Sequence, residues 1–354
     1  MRLRPNKSLF IQVVLRTFVV VLWSLGTAII AAPIAVAITP TNTNIFSPAS
    51  TPAKSIYDLS LFVLGITGTI FVVVAGILAF IIFRFRERRE DDAEPPQIYG
   101  SVQVELAWTV IPVLIVITLF LTTARIIYAI QDAPKPKAAL DVTVVGHQFW
   151  WEFNYPKLGI HAVNEMHVPV SNSQTPTPTF MRLLSADVIH SFWVPQLSGK
   201  TDLVPNKVNE LWIEPQQTGV YLGQCAQFCG VEHAKMLLRV YVDTPEDFAA
   251  WVKNQQQKAV RDETVAAGRH VFETQSCINC HTVAGTVATG RFGPDLTHLM
   301  SRDTLASGAM DNTKENLREW IRNPNTYKVG ALMPAMQLSD EQLDQVTAYL
   351  LTLR

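Results

Sequence analysis

Two stretches of this chain are apolar without interruption, and the rest alternates or is amphipathic. Residues 59–83 contain no charged side chain and would rise about 37 Å as a helix, enough to cross a hydrocarbon core of about 30 Å. A second uncharged run covers 106–124 and contains Pro112, which a membrane helix tolerates when its neighbours re-satisfy the backbone. The pattern predicts a two-helix transmembrane hairpin within 55–131. Its connecting loop carries four arginines, Arg84, Arg86, Arg88 and Arg89, which the positive-inside bias puts in the cytoplasm. Everything beyond the second span is then extracytoplasmic.

The leader, residues 1–40, has Arg2, Arg4, Lys7 and Arg16 ahead of an apolar stretch ending in Ala35-Val36-Ala37. This reads as a cleaved signal peptide; an uncleaved extra N-terminal membrane helix fits the same topology.

Beyond the spans the period changes. Residues 141–145, 180–184, 208–213 and 237–242 alternate between apolar and polar with Pro and Gly between them, which predicts short strands and a Greek-key sandwich or barrel over 138–243. Thr244-Pro245-Glu246-Asp247 predicts an N-cap and a helix to about residue 258, within a linker of 244–262 whose polar part, 253–261, would act as a hinge. From 263 to 354 the pattern is helical, with helices expected near 314–323 and 339–353 and a Gly-rich loop between motifs.

Composition sharpens this picture. Hydrophobic residues make up 48% of the 354 and charged residues 17%, too apolar a balance for an ordinary soluble protein. The formal net charge of −1 excludes a basic, nucleic-acid-binding face.

All four cysteines fall in two motifs. Cys225-Ala226-Gln227-Phe228-Cys229-Gly230-Val231-Glu232-His233-Ala234-Lys235-Met236 holds two thiols, an imidazole and a thioether, a soft set that suits copper. His190 is an upstream candidate. Two bridging thiolates could serve two copper ions with one imidazole each, Met236 and a carbonyl near Gln227 being weak axial donors. A Cys2His2 zinc site is the alternative. Cys277-Ile278-Asn279-Cys280-His281 has the spacing that attaches a c-type haem. Its sixth ligand should be a methionine: Met333 first, then Met336, with Met300 and Met310 as outsiders.

These motifs, with Val104-Glu105-Leu106-Ala107-Trp108-Thr109-Val110-Ile111-Pro112, Gly146-His147-Gln148-Phe149-Trp150-Trp151, His190-Ser191-Phe192 and Lys200-Thr201-Asp202, resemble subunit II of haem-copper cytochrome c oxidases, in the bacterial form with a fused C-terminal cytochrome c. The resemblance runs from about residue 55 to the end. It implies a multi-domain fold: a transmembrane helical hairpin, an all-β cupredoxin-like Greek-key domain and an all-α class I cytochrome c domain.

By resemblance, His190, Cys225, Gln227 (through its carbonyl), Cys229, His233 and Met236 hold the dinuclear CuA centre. Cys277 and Cys280 bind haem c covalently, and His281 and Met333 are its axial ligands. The family often has Glu where Gln227 stands; an amide could still ligate a magnesium shared with subunit I, but without the charge.

The resemblance also implies proton uptake at Glu105 and electron reception at Trp150, since the family's usual tryptophan falls at the position of Phe149. Lys200 and Asp202 would face subunit I. The partners would be oxidase subunit I, other oxidase subunits, an electron donor such as a cytochrome c or respiratory complex, and the lipid bilayer, with no nucleic acid. The place would be the bacterial cytoplasmic membrane. The alternatives are the CuA subunit of a nitric oxide reductase and a membrane-tethered electron shuttle.

Overall fold

A computed structural model describes residues 43–86, 97, 100–172, 174 and 176–354. The leader of 1–40 and most of the arginine-rich loop lie outside the described residues.

Helix α1 (Thr51–Arg84) and helix α2 (Val102–Gln131) are the two apolar runs. Each is longer at both ends than the uncharged segment that predicted it, because polar residues at the ends extend a helix out of the hydrocarbon. Their most apolar 18-residue windows have mean hydropathies of 2.7 and 2.4, and none of those residues is buried within the chain. Helices so apolar and so exposed need lipid or partner helices around them. The sandwich holds their outer ends: Thr51 Oγ1 donates to Glu214 Oε2 at 2.6 Å, and Trp212 Nε1 donates to the Ile130 carbonyl at 2.7 Å.

The middle of the chain forms two five-stranded sheets. One has the order β3-β2-β1-β5-β8: β1 (Leu140–His147), β2 (Trp150–Tyr155), β3 (Ile160–Val163), β5 (Thr179–Ser185) and β8 (Asn209–Ile213). The other has the order β4-β10-β9-β6-β7: β4 (Glu165–Pro169), β6 (His190–Trp193), β7 (Thr201–Leu203), β9 (Gly219–Cys225) and β10 (Leu237–Asp243). The pairs β1/β5 and β4/β10 are parallel, so the chain crosses between sheets and is not a meander.

The four alternating segments became β1, β5, β8 and β10, with bounds within one or two residues. Alternation puts every second side chain into the core: Val142 and Val144, Trp151, Phe153 and Tyr155, Leu238, Val240 and Val242 are all buried. Fully burying a side chain such as Phe153 contributes about 1.5–3 kcal/mol.

Thr244 caps helix α3 (Pro245–Gln255) by accepting from Asp247 N at 3.1 Å. Trp251 of α3 stacks on His167 with centroids 4.6 Å apart and meets Tyr155 edge-on at 5.3 Å. The stretch expected to act as a hinge bonds to the domain on each side: Gln256 Nε2 donates to the Leu158 carbonyl of the sandwich, and Ala259 N to the Ala284 carbonyl of the C-terminal domain.

The C-terminal domain contains α4 (Ala266–Thr274), the single turn α5 (Cys277–Cys280), α6 (Lys314–Arg322) and α7 (Asp340–Leu350). A two-residue ladder, β11 (Thr304–Leu305) with β12 (Met310–Asp311), interrupts the expected all-α pattern. A capping box between Ser339 and Gln342 starts α7, and Phe272 packs on Tyr349 where α4 meets it.

This domain lies against the sandwich. Buried Glu165 accepts from Thr304 N at 2.9 Å, Thr304 Oγ1 at 2.7 Å and Asp303 N at 3.0 Å, and Ser307 Oγ donates to the Leu237 carbonyl at 2.7 Å.

Candidate metal centre and haem cavity

The copper-type motif begins on the last residue of β9 and ends where β10 starts, so the ladder that joins those strands closes its loop. Leu237 opposes Gln224, and Cys225 N donates to the Met236 carbonyl at 3.0 Å. The neighbouring strand β6 pairs Phe192 with Cys225, bringing His190 to the same end of the sheet.

All the expected donors meet there. Cys225 Sγ lies 3.9 Å from Cys229 Sγ, 3.9 Å from His190 Nδ1 and 3.1 Å from the Gln227 carbonyl oxygen. Cys229 Sγ lies 3.7 Å from His233 Nδ1 and 3.8 Å from Met236 Sδ. Each sulfur thus has its own imidazole, with a thioether on one side and a carbonyl on the other.

Six donors of this kind fit two copper ions bridged by two thiolates; a zinc ion takes four and has no use for the thioether. The closeness of the Cys229 thiol draws the Cys225 thiol down, while the same closeness, with burial, pushes Cys229 up. Thiolates, not thiols, bind metal, so loading this pair would release protons.

Asp187 Oδ1 sits 2.7 Å from His190 Nε2, which leaves Nδ1 to face Cys225. Burial opposes charge on both partners. Burial is the largest single influence, but their mutual hydrogen bond, together with the Gln148 and Val188 amides on Asp187 and the Cys225 sulfur beside His190, overcomes it, holding the carboxyl below the usual range and raising the imidazole. Asp187 stands three residues before His190, and that spacing is its only local signal in the sequence. On the other face of His190 is Gly146, where a Cβ would come within 2.8 Å of Cδ2.

In the C-terminal domain, Cys277, Cys280 and His281 open onto one cavity with Pro294, Met333 and Met336. His281 Nδ1 is 2.7 Å from the Pro294 carbonyl and donates to it, leaving Nε2 for iron. Burial lowers the His281 pKa, keeping the ring neutral as a ligand must be. Gly293 crosses close by, where a Cβ would lie 2.8 Å from His281 Cε1.

The residues fit a thioether-linked haem: two thiols, one oriented imidazole and methionine sulfur around an apolar cavity. Met333 and Met336 both line it, while Met300 and Met310 pack on the domain's hydrophobic core instead.

Trp150 stacks face to face on His147, centroids 4.0 Å apart, and lines the haem cavity together with Gln148 and Phe149. Trp151 is fully buried in the sandwich core, 6.2 Å from the His190 ring. Glu105 stands exposed in the first turn of α2, on the membrane hairpin and away from both sites. Asp202 opposes Ser191 in the β6/β7 pair, and Lys200 precedes that strand, exposed.

Three family profiles match in chain order: the transmembrane domain of cytochrome c oxidase subunit II over residues 38–126, its periplasmic domain over 140–242, and cytochrome c over 265–354. Cytochrome c oxidase subunit 2 of Alkalihalophilus pseudofirmus is 35% identical over 320 residues, covering 88% of this chain and 91% of that protein. The subunit 2 of Bacillus sp. strain PS3 is 34% identical over 291 residues, covering 76% and 80%. With both metal-binding motifs assembled and the match running almost end to end, the chain belongs to the cytochrome c oxidase subunit II family, in the form that carries its own cytochrome c domain.

Proposed function

We propose that this chain takes electrons from a cytochrome c or a respiratory complex at its haem c, passes them to a dinuclear CuA centre, and delivers them to haem-copper subunit I. There oxygen is reduced to water with proton pumping. Haem and the copper pair, when bound, supply the one-electron chemistry; the chain holds, orients and spaces them.

One observation carries this reading: the two sites share a wall. Gln148, Phe149 and Trp150 line the cavity that also holds Cys277, Cys280 and His281, and Gln148 Nε2 donates to the Cys229 carbonyl at 2.7 Å. Trp150 accordingly receives electrons from the chain's own haem domain, and an outside donor would meet the haem first.

In this reading the hairpin sits in the bacterial cytoplasmic membrane with both metal-binding domains outside. Glu105, at the start of a 30-residue helix about 45 Å long, lies at the far membrane face and takes up protons for subunit I. Stopped-flow reduction of the purified complex tests the order: haem c should be reduced first and CuA after it. Copper reduced ahead of haem would overturn it. Glu105→Gln should slow steady-state oxygen uptake while leaving the haem-to-copper step unchanged; undiminished uptake would remove Glu105 from the proton path.

A further inference from the structure

Lysine is rarely buried without a partner, because its ammonium loses several kcal/mol of hydration. Lys328, just after the 3₁₀ turn of Pro324–Thr326, is only 3% exposed and lines the haem cavity with Met333. Its Nζ donates to the Phe149 carbonyl at 3.1 Å, bridging the two domains. That carbonyl stands in the wall between cavity and copper-type cluster, next to Gln148 with its bond to the Cys229 carbonyl.

A second lysine crosses the other way. Lys235, in the turn between His233 and Met236, donates to the Tyr327 carbonyl and lies 3.6 Å from the carboxylate of Glu232, itself buried. Val231 completes the seam, since a Cβ on Gly330 would lie 2.9 Å from its Cγ2. Residues 327–330 are thus gripped by the copper-ligand loop and by the 148–150 wall together. A methionine would fill the Lys328 space at lower desolvation cost. A long side chain ending in an N–H group supplies both the reach and the donor that the Phe149 carbonyl needs.

We propose that Lys328 is a positioning residue for electron transfer: it clasps the 327–336 loop, which carries both candidate iron-binding methionines, onto the wall shared with the copper-ligand loop. This rests on the reading that electrons cross that wall. Lys328 transfers no charge itself; it sets how closely the two sites are held.

The test uses the full chain loaded with haem and copper in detergent, comparing wild type with K328M. Leaving the buried Phe149 carbonyl without its donor should raise the undocked population about ten- to hundredfold. Amide-exchange protection in 148–150 and 327–336 should fall by that factor, with strands β1 and β10 unaffected. Haem-to-copper transfer after rapid reduction should slow, while covalent haem and the sulfur-to-iron band stay.

Unchanged protection in K328M overturns the clasp. Loss of the sulfur-to-iron band also overturns it, since the lysine would then be part of the haem site's own structure. Should K328M fail to load haem, K328L, which likewise lacks a donor, is read with the same outcomes. A wild-type protein whose copper is never reduced by its haem would instead sink the electron-transfer reading, leaving the clasp measurable by exchange alone.

Discussion

The copper-ligand cluster and the haem cavity are built from similar materials, yet the fold completes them to different degrees. In the cluster every donor is in place, each within 3.9 Å of a neighbouring donor, because the loop is closed by the β9/β10 ladder and His190 rides on the adjacent strand. In the cavity one axial ligand is oriented by the Pro294 carbonyl, but the opposite side offers two methionines on a segment without regular structure. Ladder hydrogen bonds specify a site through the backbone. A loop leaves the choice to the bound group.

The largest effect should come from breaking the completed site. Cys225→Ser or Cys229→Ser should remove both copper ions together and abolish electron delivery, because in this reading each sulfur would serve both ions. Copper quantitation with electron paramagnetic resonance checks this, and a full mixed-valence signal in either variant would refute the shared-bridge reading.

Next is the unfinished side of the cavity. Met333→Ala should eliminate the near-infrared sulfur-to-iron band while covalent haem persists through Cys277 and Cys280, and Met336→Ala should leave the band intact. The reverse result would move the ligand by three residues.

The glycines against the two histidines compare the sites directly. Gly146→Ala presses a methyl on His190, which Asp187 and the sheet hold in place. We expect about 1–3 kcal/mol of destabilisation and an altered copper spectrum. Gly293→Ala presses equally on His281, yet its loop can give, so thermal denaturation should register a smaller loss. Equal losses would deny the difference between ladder and loop.

The smallest effect concerns Glu152, whose carboxyl is held far below the usual range by His147 and then His161, against the cost of burial. A depressed carboxyl stabilises the folded state above its unfolded value, and that contribution is lost as pH falls through the folded value. Glu152→Gln should therefore cost about 1–2 kcal/mol near neutrality and flatten the acid side of the stability profile. Denaturation at several pH values would show the two proteins converging in acid.

Local spacing was enough to read much of this molecule. The spans are legible because lipid demands uninterrupted apolar length, and four strands are legible because a half-buried sheet demands alternation. Of the remaining strands, β3, β4, β6 and β7 are short, and β6 is buried at His190, Ser191 and Phe192 alike. Strands β2 and β9 alternate in burial, but carry apolar side chains on the outward face too, Trp150 in one and Val220 and Leu222 in the other, which blurs the period in the sequence. The contacts of α3 and the linker were not legible, because Trp251 and Gln256 look like ordinary helix-surface residues until His167, Tyr155 and Leu158 come to meet them.

By itself the sequence determined which atoms can bind metal, since thiol, imidazole and thioether chemistry belongs to the residues and a twelve-residue run keeps them within reach. Only the tertiary structure decided what lies between the two sites. Gln148 on the Cys229 carbonyl, 81 residues away in the chain, and Lys328 on the Phe149 carbonyl, 179 residues away, are contacts between distant segments. A pairing made when two domains bury their surfaces against each other leaves no period or spacing along either one.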